Sequence, residues 1–130
     1  MTFYAGGFFY NSKTKEVLLH LRDGKTNNNP NLWAFFGGLS EGEETPEQTF
    51  KREILEELEV VVDKIEYLTD YFNREFNVHR YVYLVRDENK PELHLNEGTD
   101  AKWFTIENAL KLNLSKGTRK DLTYFKKHEV

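Results

Sequence analysis

Between Gly37 and Val60 the chain reads GGLSEGEETPEQTFKREILEELEV, and this stretch restricts the fold more than any other. Eight acidic residues (Glu41, Glu43, Glu44, Glu47, Glu53, Glu56, Glu57 and Glu59) stand there against only Lys51 and Arg52. Like charges gathered so densely repel one another unless a cation shares the site. The same stretch announces a helix. Thr45, then Pro46 at the first helical position, with Gln48 three residues after Thr45, is the pattern of a capping box, so the helix is expected to begin near Pro46. Phe50, Ile54 and Leu58 recur every fourth residue and form a stripe that must be buried, with Leu55 on its flank.

Glu53, Glu56 and Glu57 stand at i, i+3 and i+4 and so share a neighbouring face of that helix. Such like-charge pairs cost an isolated helix roughly 0.2 to 0.5 kcal/mol each. A divalent cation converts the penalty into affinity, and these three side chains are the candidate ligands. Mg²⁺ is the expected ion, with Mn²⁺ as a substitute, because hard oxygen donors suit it and it binds substrate phosphates while held by few carboxylates. The competing reading of an acidic helix face alone is a solvated surface; the fixed offsets of the paired glycine, Glu44 and the helix carboxylates favour the metal site.

Written as spacing, the stretch is Gly38, five residues, Glu44, seven residues, Arg52, Glu53, Ile54, one residue, Glu56, Glu57, one residue, Glu59, Val60. It resembles the Nudix box of the Nudix hydrolases, MutT-like, at every defined position but one. The departure is Glu59, where the family pattern has glycine. A glutamate held in a left-handed helix exit costs roughly 1 to 2 kcal/mol and leaves the carboxylates in place. The resemblance implies a Nudix fold, an α/β/α sandwich in which a mixed sheet lies between helices and the box forms a loop-helix-loop. It implies that the carbonyl of Gly37 is a backbone metal ligand beside Glu53, Glu56 and Glu57. Gly38 and Glu44 are then structural within the motif, with Glu44 bracing the loop, and Arg52 orients a neighbouring carboxylate by charge-assisted hydrogen bonds. A second resemblance lies in NEGTDAKWF, where Glu97 precedes Trp103 as a glutamate does in many relatives. There it reaches the metal cluster or acts as base, and Asp100 competes for the role. Either Glu53 or Glu97 accepts the proton from water, and the sequence does not choose between them.

The remaining elements read coarsely. Strand-like runs cover residues 3–10, 16–22 and 32–36; residues 60–72 alternate and span one or two strands; residues 79–86 form another, and 102–105 a short last one. Short helices are expected over 107–112 and 118–128. At 130 residues this is one domain over residues 1–130. The chain has no cysteine, which excludes disulfides and thiolate metal sites and fits a reducing compartment. No apolar run approaches a membrane span, and the amino terminus lacks a basic secretory start, so cytoplasmic is the default. A net charge of −4 argues against an extended nucleic-acid platform. The locally basic carboxyl-terminal stretch, residues 111–130, reads as a solvated helix face.

The resulting expectation is an enzyme that hydrolyses a phosphoanhydride in a nucleoside diphosphate-linked small molecule. The leading substrate is a nucleoside triphosphate, cleaved to the monophosphate and pyrophosphate, because the wording from Gly42 to Gln48 is similar to mutator-type members. ADP-ribose, a nucleotide sugar or a dinucleoside polyphosphate is the alternative, and a catalytically silent nucleotide-binding module the alternative of another class. Arg22 is a candidate phosphate-binding residue. Trp33, Phe35, Tyr81 and Tyr83 either stack on a base or pack in the core.

Overall fold

The computed structural model describes residues 2–21, 31–86 and 100–129. In chain order the elements are β1 (Tyr4–Asn11), β2 (Glu16–Leu21), β3 (Trp33–Ala34), β4 (Phe36–Leu39), α1 (Pro46–Leu58), β5 (Glu66–Asn73), β6 (Val78–Arg86), β7 (Asp100–Thr105), α2 (Ile106–Ala109) and α3 (Lys116–His128). The sheet is mixed. β1 pairs in parallel with β6, while its other edge pairs antiparallel first with β4 and then with β2. β5 closes one side against β6, and β7 lies along β2.

The middle of the sheet is wedge-shaped. β1 and β2 are paired only near their connecting turn, from Phe9 opposite Leu18 to Asn11 opposite Glu16. Beyond that they diverge, and the segment 33–39 fills the gap. It pairs with β2 at Trp33 and Ala34, then crosses to β1 at Phe36 to Leu39. Phe35, at the crossing, belongs to neither ladder. Its amide donates to Thr118 Oγ1 at 3.0 Å and its carbonyl accepts from His20 Nε2 at 3.0 Å. A buried backbone group left unpaired would cost about 1–3 kcal/mol, so these two side chains make the change of partner tolerable. The expected strand over 32–36 is thus two short strands that continue into the glycine pair.

Alternation along the strands builds a core on each face of the sheet. Ala5, Phe9, Leu18, Phe36, Tyr83 and Val85 face α1, where Phe50, Ile54 and Leu58 are fully buried. Each such side chain contributes about 1.5–3 kcal/mol. Phe8, Tyr10, Val17, Leu19, Phe35, Val82 and Leu84 face the other way, against Ala109 of α2 and Leu122 and Phe125 of α3. The α/β/α arrangement expected from the sequence is therefore present. The alternating stretch 60–72 supplies one strand, beginning at Glu66, with a bulge between Tyr67 and Thr69. α3 starts at Lys116, two residues earlier than expected, because Ser115 caps it by accepting from the Thr118 amide.

Candidate metal and substrate site

α1 begins as its capping residues dictate. Thr45 Oγ1 accepts from the Gln48 amide at 3.2 Å, and Gln48 Oε1 accepts from the Thr45 amide at 2.9 Å. At the other end Glu59 adopts φ 56°, ψ 34°, the left-handed region, while its amide still donates to the Leu55 carbonyl. The helix exit thus has the geometry that glycine favours, with glutamate in it. Burying Phe50, Ile54 and Leu58 fixes the helix rotation, which turns Glu53 partly inward, leaves Glu57 half-buried and exposes Glu56 and Leu55.

Arg52 sits at the centre of these carboxylates. Its Nε donates to Glu44 Oε2 at 2.6 Å, its Nη1 to Glu53 Oε2 at 2.9 Å and to Glu56 Oε1 at 3.1 Å, and its Nη2 to the Leu39 carbonyl at 3.0 Å. Glu44 also accepts from the Glu41 amide and the Thr49 hydroxyl, closing the loop onto the helix. Arg52 above all, then the Glu41 amide, holds the Glu44 carboxyl down to about 2. Glu53 behaves oppositely. Burial pushes its carboxyl above the ordinary range, against the pull of Arg52.

The glycine pair explains itself through two close approaches. A Cβ on Gly37 would lie 2.5 Å from the Gly6 Cα on the paired strand, and a Cβ on Gly38 would lie 2.6 Å from Glu53 Oε2. Gly38 therefore leaves the space in which the Glu53 carboxylate rests against main chain. For a divalent ion the donors are right in kind, all hard oxygen, and are carried at helix spacing beside bare backbone. In the arrangement observed, no three acidic or imidazole side chains among the described residues converge on one point; Glu53 and Glu56 instead turn to Arg52. An ion held by Glu53, Glu56 and Glu57 would compete with Arg52 for the first two, while Glu44 would keep its hold on the guanidinium.

On the opposite face of β4 lies a cleft of about 400 Å³, bounded by Tyr4, Gly37, Leu39, Phe76, Arg80 and Thr118 among others. Gly37 lines it and Gly38 touches Glu53, so two residues of one short strand connect the cleft to the carboxylates. None of the cleft residues outside the glycine pair and Phe35 was singled out by sequence. Arg80, in β6, lacks any local signal because its partner Asp121 is 41 positions away, in α3. Of the aromatics named from sequence, Trp33 packs edge-on against Phe104, Tyr81 against Phe3, and Tyr83 is stacked on Phe50, so these three do packing work. Phe35 is buried against Phe8 and reaches the cleft only as part of its wall. Arg22 and Glu97 lie outside the described residues, and Asp100 opens β7 with its backbone opposite Leu21. Among the described residues, no helix is long and apolar enough to cross a membrane.

The family model of the NUDIX domain matches residues 2–125. No curated protein sequence matches the chain. Solved structures do. A MutT from work on Aliivibrio salmonicida and Vibrio cholerae is 21% identical with a TM-score of 0.74, over 93% of this chain and 95% of that one. The NUDIX domain of Shewanella oneidensis NrtR, solved with ADP ribose, is 21% identical with a TM-score of 0.78, over 99% and 87%. The E. coli dihydroneopterin triphosphate pyrophosphohydrolase is 19% identical with a TM-score of 0.75, over 94% and 92%. At these identities the likeness is one of fold.

Proposed function

Because this chain belongs to the Nudix family of phosphoanhydride hydrolases, we propose that it is a nucleoside triphosphate pyrophosphatase dependent on Mg²⁺, with Mn²⁺ as a substitute. The observation that carries this reading is Gly38 against Glu53: the strand that lines the cleft is bare of side chains where it meets the acidic helix. A nucleotide seated in the cleft can pass its phosphates over Gly37 and Gly38 to the carboxylates.

Glu53, Glu56 and Glu57, with the Gly37 carbonyl, would hold the ion. The ion, when bound, supplies charge neutralisation on the phosphates and a water of lowered pKa. The chain's own residues do the rest. Arg52 orients Glu53 and Glu56 by charge-assisted hydrogen bonds, and Glu44 fixes Arg52. Glu53, whose burial raises its affinity for a proton, takes the proton of the attacking water; Glu97 is the second candidate for that step. The water oxygen bonds to the α-phosphorus, the bond from the α-phosphorus to the bridging oxygen breaks, and pyrophosphate leaves with that oxygen and the bonding electron pair.

The similarity to a domain solved with ADP ribose favours ADP-ribose as the second reading. A panel of nucleoside triphosphates, ADP-ribose, nucleotide sugars and dinucleoside polyphosphates, assayed with Mg²⁺ or Mn²⁺, separates the two. Monophosphate and pyrophosphate from triphosphates are expected, and a Glu57→Gln variant is expected to lose at least about a hundredfold in kcat. Turnover of ADP-ribose alone would replace the first reading with the second. Tight nucleotide binding without turnover would make the chain a silent binding module, and full turnover by Glu57→Gln would remove the assigned metal site.

A further inference from the structure

Arg80 is buried in the cleft wall, with its side chain 10% exposed. Its Nε donates to Asp121 Oδ2 at 2.7 Å, and its guanidinium lies 4.4 Å from the centre of the Tyr4 ring. Asp121 is fully buried, and its other oxygen accepts from the Tyr71 hydroxyl at 2.7 Å. Gly117 makes room for the guanidinium, since a Cβ there would lie 2.9 Å from Arg80 Cζ. These contacts clamp the guanidinium plane through Nε and one face. Neither Nη has a protein acceptor among the described residues.

Two terminal amines of a guanidinium form a fork that matches two adjacent acceptors. Asp121 already balances the charge, so a further full anion buried here would leave the enclosed group net negative, whereas a neutral edge with paired acceptors would not. Phe76 and Leu39, both substantially exposed on the cleft, supply apolar surface for the faces of a flat ring. Guanine offers such an edge at O6 and N7, and cytosine offers one at O2 and N3. Adenine presents acceptor beside donor, which leaves one Nη facing an amine.

We propose that Arg80 is a specificity-determining residue, which selects nucleotides whose base presents two adjacent acceptors, guanine or cytosine, over adenine. The proposal rests on the reading of the chain as a nucleotide hydrolase, and adds to it which base edge the cleft takes. The test is kcat/KM for GTP, CTP, ATP and UTP, together with binding of GMP, CMP, UMP and AMP by calorimetry. For the native chain, GTP or CTP is expected to exceed ATP by at least about fivefold, the lower range of one bidentate contact; which of the two leads identifies the base.

Arg80→Lys keeps the charge opposite Asp121 but presents no fork, and is expected to bring that ratio to within about threefold of one. Because a variant at a buried ion pair can unfold, the double variant Arg80→Gln with Asp121→Asn is measured beside it, with thermal unfolding as the check on both. An adenine preference in the native chain, or an unchanged guanine or cytosine preference in a folded Arg80→Lys, overturns the proposal. If no triphosphate is hydrolysed, the pyrophosphatase reading fails alone: the monophosphates still rank the bases, and equal binding of GMP, CMP and AMP is then what sinks the role of Arg80.

Discussion

Arg52 and Glu44 form a pair in which each residue has a different dependence on its surroundings. Arg52 donates to four groups, and of the three carboxylates among them Glu44 is the one the bound ion would leave untouched. Glu44 titrates near 2 against an ordinary 4.5. The unfolded chain therefore takes up this proton first, so the stabilisation from Glu44 is complete above pH about 4.5 and disappears as the pH falls toward 2. In Glu44→Gln the acid limb of the unfolding midpoint is expected to be shallower across that window, with the gap between the two proteins closing toward pH 2. A gap that stays constant from pH 6 to pH 2 would mean that the charge of Glu44 is not what braces the loop. Glu53, pushed the other way by burial, contributes with opposite sign, favouring the fold more at low pH than at high. The opposed shifts of two carboxylates held by one guanidinium follow from their surroundings: Glu44 also accepts from the Glu41 amide and the Thr49 hydroxyl, whereas Glu53 rests against Gly38, where burial outweighs Arg52.

Among the elements, α1 was the most legible from sequence. Its start depends on Thr45, Pro46 and Gln48 within a single turn, and its buried face on a four-residue period, so nothing distant can overrule either. Its exit is equally local. Glu59 in the left-handed region carries a strain that Glu59→Gly is expected to relieve, raising unfolding stability by about 1 kcal/mol in urea titrations with the slope unchanged. A loss of stability would mean that the side chain makes a compensating contact.

Strands were less legible where pairing is decided far away. Residues 32–36 read locally as one run, but the divergence of β1 from β2 and the hydroxyl of Thr118, 83 positions from Phe35, break it at Phe35 and carry the second strand on to Leu39. Residues 60–72 alternate throughout, yet only the part that meets β6 becomes strand. The candidate carboxylates Glu53, Glu56 and Glu57 could be named because they share a helix. The cleft could not be named, because Tyr4, Phe76, Arg80 and Thr118 come from four separate elements or turns.

At the scale of the whole molecule, the sheet and its second helix layer are joined by Asp121. In the pair with Arg80, burial raises the Asp121 carboxyl while Arg80 and the Tyr71 hydroxyl oppose the rise. Arg80 stays charged against its own burial, with the Asp121 carboxylate beside it. Removing one partner strands a charge in the interior. Asp121→Leu is expected to cost about 3–5 kcal/mol of unfolding stability, and the double change with Arg80→Met to recover most of it. Chemical denaturation of both variants measures this, and a double variant no better than the single one would assign the loss to packing.

The change of partners at Phe35 also bears on what the molecule can accept. Because Phe35 is tied to α3 by Thr118 and to β2 by His20, the short run from Phe35 to Gly38 works as a fixed gauge between the cleft and the acidic helix. A nucleotide bound as proposed would have to span it. A ring and phosphates spaced too closely or too widely for that interval would fit one end or the other, but not both.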